Sequence, residues 1–253
     1  MIRLKSRREI DVIRRGGRIV AEALGLVENL VRPGVTTAEI DRQVEELIRA
    51  RGGRPAFKGH RGFPNCCCIS INEQLVHGIP GPRVVKAGDI VSVDVGVELE
   101  KFLSDAAVTV GAGPLDELAE RLMRVTKASL GRAIATVRPG VRLSAIARAV
   151  QDYVESNGFG VVRQMVGHGV GRQLWEEPQV PNFWDDEGEA TPDDRVLDKG
   201  VVIAIEPMVT AGDFAVETLS DRWTVVTRDR SLCAHFEHTV AIVDGGVEVL
   251  TAP

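Results

Sequence analysis

No apolar stretch in this chain reaches the roughly 18 residues that a membrane-spanning helix needs. The opening segment MIRLKSRREIDVIRRGG mixes bases with acids and has no apolar run, so a secretory signal is not expected. Basic residues are not in excess: 31 Lys and Arg face 36 Asp and Glu, a net charge of −5. That balance argues against a general nucleic-acid binder. Only four cysteines occur, and Cys66, Cys67 and Cys68 are consecutive, which excludes a disulfide framework and points to a reducing, cytoplasmic setting. Neighbours on a strand face opposite ways, so the three cannot converge on one tetrahedral zinc. There is no flexible linker, and 253 residues suit one domain, residues 1–253.

Against this ordinary background, four acids stand inside apolar, strand-like runs. They are Asp94 in IVSVDVGV, Asp105 in FLSDAAVTV, Glu206 in VVIAIEPMV and Glu237 in HFEHTVAIV. A buried ionised carboxylate costs several kcal/mol, on that order, unless it is paired or bound to metal. No Lys or Arg lies within three residues of Asp94, Glu206 or Glu237. His168, in the glycine-rich GHGVGR, could complete the set, and those glycines would let backbone pass close to metal. Two divalent cations would cancel four carboxylates. The pleat agrees: Val91, Val93, Val95 and Val97 share one strand face and Asp94 takes the other. The alternative is four acids at strand ends or in buried salt bridges.

The chain also repeats itself. VRPGVTTAEIDRQVEELIRARGG (31–53) returns as VRPGVRLSAIARAVQDYVESNGF (137–159). Each copy reads as a helix end, a Pro-Gly break, an amphipathic helix and a glycine stop. Longer helical patterns precede them at about 6–30 and 115–136, and Thr36 with Glu39 suggests a capping box. KAGDIVSVDVGV (86–97) resembles DKGVVIAIEPMV (198–209), which sets Asp94 against Glu206. The expected fold is α+β: two pseudo-symmetric halves, about 1–111 and 112–253, sharing a central antiparallel sheet with helices outside. The acidic NFWDDEGEATPDD (182–194) reads as a surface loop.

Two other signals are weaker. GAGPLDELAERL lacks the third glycine of a dinucleotide fingerprint, and Asp116 and Glu117 at the helix start would repel a pyrophosphate. Ser231, Cys233 and His235 alternate as a strand would, a pattern more often structural than catalytic.

The motifs NEQLVHGIP (72–80), DIVSVDVGV (89–97), GHGVGR (167–172), EEPQV (176–180), IEPMV (205–209), WTVVTRDRSL (223–232) and FEHT (236–239) span most of the chain. Together they resemble the type I methionine aminopeptidases of the short bacterial kind, with the pita-bread fold. No counterpart is expected of the N-terminal zinc-binding extension or of the helical insertion of related enzymes. The resemblance implies a metallo-exopeptidase that removes N-terminal methionine from peptides and nascent chains, acting as a cytoplasmic monomer, in part at the ribosome. It implies two divalent ions (Co, Mn, Fe or Zn), the carboxylate-rich set favouring Mn, Fe or Co. Asp94 would chelate one ion, His168 and Glu206 the other, and Asp105 and Glu237 would bridge. Glu206 would shuttle the proton of a metal-activated water, and His77 would hydrogen-bond the scissile peptide unit.

This chain departs from that pattern around the substrate. Trp175 occupies the place of the family's second active-site histidine, and an indole cannot be protonated. His60 replaces a phenol, Leu174 replaces an aromatic, and Phe63, Cys68 and Trp223 are the expected pocket walls. The departures leave a second possibility, a relative with reduced or altered activity that binds peptide N-termini or a partner. A prolidase-like peptidase is disfavoured by the short chain.

Overall fold

Ser6 starts the first helix with a reciprocal capping box. Its hydroxyl accepts from the Glu9 backbone N–H, and the Glu9 carboxylate accepts from the Ser6 N–H. At the second helix only half of this arrangement forms. Thr36 accepts from the Glu39 N–H, but the Glu39 carboxylate turns outward to Arg42 and Gln43. The computed structural model describes residues 2–186 and 193–252. Residues 187–192 of the acidic segment expected as a loop lie outside the described residues.

Helices α1 (Arg7–Leu30) and α2 (Thr37–Ala50) form the first helix pair, α3 (Glu117–Thr136) and α4 (Leu143–Ser156) the second. The repeat is visible in the backbone. Gly34 and Gly140 take φ of 95° and 84° in the two breaks, and Gly52 and Gly158 take 78° and 76° at the two stops. Such left-handed angles suit glycine, which has no Cβ to clash.

Each pair covers its own sheet. In the first half, β1 (Cys67–Ile71) lies along one edge of β2 (Ile90–Leu99), and β3 (Phe102–Gly111) lies along the other. Val91, Val93, Val95 and Val97 are fully buried and pack with Val20, Val27, Ile40, Val44 and Ile48 of α1 and α2. In the second half, the chain adds β4 (Gly167–Gly169), β5 (Glu176–Val180), β6 (Val202–Ile205), β7 (Met208–Thr210), β8 (Cys233–His235), β9 (His238–Val243) and β10 (Gly246–Val249). A five-stranded sheet runs β10-β9-β6-β4-β5, and all strand pairs are antiparallel. Ile203 and Ile205 face Leu122, Leu130, Ile146 and Val150 of α3 and α4.

The central sheet is thus two principal sheets, stitched together by reciprocal backbone bonds. Glu237 N–H donates to Ala107 O at 3.0 Å, and Ala107 N–H donates to Glu237 O at 3.4 Å. The seam between the halves therefore passes through one of the four unusual acids.

Candidate metal centre and peptide cleft

Asp94 and Asp105 project from the middle of β2 and β3. Glu206 and Glu237 do not stand within strands, contrary to the sequence reading. Ile205 pairs with His238 and Met208 pairs with His235, so one antiparallel ribbon keeps its register across a two-residue gap on each strand. Glu206-Pro207 and Phe236-Glu237 fill those gaps at the same level. Pro207 has no N–H for a ladder, which helps end the strand there. Both acids leave the ribbon toward the seam.

GHGVGR also differs from its expected role. Its glycines serve strand packing. A Cβ on Gly169 would collide with the carbonyl oxygen of Glu177, and one on Gly167 would collide with that of Ala204. Close packing of β4 against β5 and β6 holds His168, whose Nδ1 lies 3.0 Å from Gly169 O.

One cleft is lined by Asp94, Asp105, His168, Glu206 and Glu237 together with His60, His77, Phe63, Cys68, Trp175 and Trp223. The cleft leaves about 50 Å³ for solvent, room for a few waters or ions. Asp105 and Glu237 are 4% and 2% exposed, while Asp94 and Glu206 keep an open side. His168 Nε2 stands 3.6 Å from Asp105 Oδ2 and 3.7 Å from Glu206 Oε1. Thr239 Oγ1 lies 3.2 Å from Asp105 Oδ1 and donates to its carbonyl at 2.7 Å.

The electrostatics call for a cation. Among the described residues no Lys or Arg forms an ion pair with any of the four acids, which disposes of buried salt bridges to basic side chains. Asp94 Oδ1 is buried without a hydrogen-bond partner. Burial raises Asp94 and Glu237 well above the usual carboxylate range, and the neighbouring acids reinforce the shift. Burial also raises Asp105, opposed by His168 and the Thr239 hydroxyl. It pushes Glu206 up to about 8, with His168 opposing and Asp105 adding. One oxygen or nitrogen each from Asp105, His168 and Glu237 falls within 4.8 Å of the others. A hard, oxygen-rich, divalent ion fits this donor set. Cys68 is opposite Asp94 in the register, but burial and the Asp94 charge keep its thiol protonated, so it lines the wall without competing as a thiolate.

The apolar wall is one packed group: Phe57, Phe63, Cys68, Leu103 and Leu174, with Trp223 against it. Phe63 meets Trp223 edge-on at 5.1 Å. Phe57 escaped the sequence reading. It lies on the sheet at Gly96, where a Cβ would fall 2.5 Å from its ring; the glycine in VDVGV was the available signal. His77 reaches the cleft from a left-handed backbone with φ of 58° and meets Trp223 edge-on at 6.4 Å. Burial pulls its imidazole down to about 4, the charge of His235 adding to the shift.

Trp175 stands at the mouth, 38% exposed, between the inner cleft and an outer groove of about 800 Å³. His60 meets it edge-on at 5.0 Å, and the Arg61 guanidinium lies 4.9 Å from the ring centre on the other contact. Asn182 escaped the sequence reading as a site residue, and His235 was read there as structural. Asn182 Nδ2 donates to the Glu206 carbonyl at 3.0 Å, and His235 Nε2 lies 3.6 Å from Glu206 Oε2. Only the fold brings them there.

Comparison with known proteins gives the family. The profile of metallopeptidase family M24 matches residues 11–244. A methionine aminopeptidase of Clostridium perfringens is 50% identical over 251 residues, 99% of each chain. The crystal structure of a methionine aminopeptidase from Thermotoga maritima is 45% identical, with a TM-score of 0.95 and complete coverage of both chains. A prolidase from Pyrococcus furiosus, 22% identical, has a TM-score of 0.79 over 99% of this chain and 65% of its own, and so shares the fold. The chain belongs to metallopeptidase family M24 and, within it, to the methionine aminopeptidases.

Proposed function

We propose that this protein is a metal-dependent methionyl aminopeptidase that releases the first residue of methionyl peptides and nascent chains, using two divalent ions held by Asp94, Asp105, His168, Glu206 and Glu237. The observation that carries the reading is the orphaned, buried Asp94 Oδ1 among three other acids at the foot of an apolar cleft. Bound there, the ions would supply Lewis acidity and a water of lowered pKa. Ribosome-bound chains as substrates, a monomeric state and a cytoplasmic location belong to the same proposal.

The chain's own residues would do the rest. Phe57, Phe63, Cys68 and Trp223 offer a soft wall of aromatic and sulfur atoms, suited to an unbranched thioether. His77, neutral at pH 7, can donate one hydrogen bond to the scissile peptide unit while its other nitrogen stays free to accept. Glu206 has one face in the cleft, and as a carboxylate there it would take a proton at the site of attack and return it to the leaving amine. The second reading, binding of peptide N-termini with little turnover, draws on Trp175 at the mouth.

Turnover of a Met-Ala-Ser peptide with Mn, Fe or Co, against metal-free protein, separates the two. Glu206→Gln keeps the shape and loses the base. It is expected to abolish turnover, and a variant retaining most of the rate removes Glu206 from the mechanism.

A further inference from the structure

His235 is 2% exposed, and its ring Nε2 is buried with no hydrogen-bond partner. Its backbone is tightly held. The His235 N–H donates to Thr109 Oγ1 at 3.0 Å, and that hydroxyl donates back to the His235 carbonyl at 2.7 Å. Pairing with Met208 fixes its strand beside Glu206. The backbone that carries the ring is therefore fixed, and the unpartnered ring nitrogen stands 3.6 Å from one carboxylate oxygen, Glu206 Oε2. The other oxygen of the same carboxylate faces His168 at 3.7 Å. Glu206 is thus flanked by two imidazoles, one on each oxygen, with Asn182 holding its carbonyl.

We propose that His235 is a positioning residue for Glu206: its Nε2–H donates to Oε2 and sets the rotation of the carboxylate. A carboxylate turns easily about its last torsion, which has broad, two-fold preferences. Closing the gap by about half an ångström would give an ordinary hydrogen bond and satisfy a nitrogen that is otherwise costly to bury. With Oε2 tied back, Oε1 stays on the His168 side and the group is held for its work. His235 does not line the cleft, so it does not touch substrate. Its Nε2 faces the Glu206 carboxylate, so it acts through Glu206. The inference rests on the proposed role of Glu206.

The test compares His235→Phe, which fills the ring volume without an N–H, with His235→Gln, whose amide can place an N–H near Nε2. For each, kcat and KM on Met-Ala-Ser, Mn binding by calorimetry and the unfolding midpoint are measured, with Glu206→Gln alongside. The Phe variant is expected to lose about 10- to 100-fold in kcat, with KM changed by less than about threefold and the full complement of Mn still bound. The Gln variant is expected to recover most of that loss. Wild-type kcat in the Phe variant overturns the inference. So does loss of a bound ion in that variant, since the effect would then lie in metal binding and not in the rotation of the Glu206 carboxylate. Equal losses in both variants with a lowered unfolding midpoint would reduce it to packing. If Glu206→Gln keeps its rate, the proton role of Glu206 has failed and the inference falls with it. If Glu206→Gln is inactive while His235→Phe turns over normally, only the inference fails.

Discussion

Stripped of metal, the protein is expected to lose stability as pH rises from 6.5 to 8. Glu206 has an ordinary value of 4.5 unfolded and about 8 folded. Its folded form binds the proton more tightly, so its contribution is complete below about 4.5 and is lost as pH climbs through about 8. His77 and His235 work in the opposite sense. Burial pulls both from 6.5 to about 4, so their contributions are present above 6.5 and lost as pH falls through 4. Above 6.5 the histidines are spent and the carboxylates govern. Over those 1.5 pH units, at about 1.4 kcal/mol each, Glu206 alone removes about 2 kcal/mol. Asp94, Asp105 and Glu237 push the same way, and the four titrate as a set. For a chain of this size the unfolding midpoint should fall by about 4–8 °C. Differential scanning calorimetry of chelator-dialysed protein at pH 6.5, 7.25 and 8 measures it. Saturating Mn should flatten or invert the slope, because deprotonated ligands bind metal in the folded state only. A metal-free midpoint that stays level or rises across this window would refute the reasoning.

Three further outcomes are expected. Calorimetric titration should show up to two divalent ions bound, and Glu237→Ala should weaken or remove at least one; a wild type that binds nothing tighter than about millimolar, a free energy near −4 kcal/mol, rejects the ligand set. Trp175→His should raise kcat on methionyl peptides by up to about a hundredfold if a transition-state donor is restored, and a lower kcat would show that the indole is not a loss. Gly169→Ala should destabilise by about 1–3 kcal/mol through the clash with the Glu177 carbonyl and weaken metal binding by moving His168; an unchanged midpoint and affinity would show that the strands yield freely.

Local chemistry carried much of the architecture. Helices α1 and α2, and α3 and α4, follow from amphipathic spacing bounded by Pro-Gly breaks and glycine stops, signals that act within a few residues. The repeat was legible because both copies need the same left-handed glycines. Asp94 and Asp105 stood out because an acid in a valine strand is expensive wherever the strand goes. The paired break at Glu206-Pro207 and Phe236-Glu237 was not legible, since it depends on two segments some thirty residues apart losing their ladder at the same level. The same holds for the glycines around His168, whose purpose is set by the neighbouring carbonyls of Ala204 and Glu177. Most of all, sequence alone could not place His235 and Asn182 against Glu206, or His60 and Arg61 against Trp175. Burial cost and backbone preference belong to a residue and its near neighbours, so a sequence determines them. Which oxygen meets which nitrogen is decided only when distant strands pack and their registers lock.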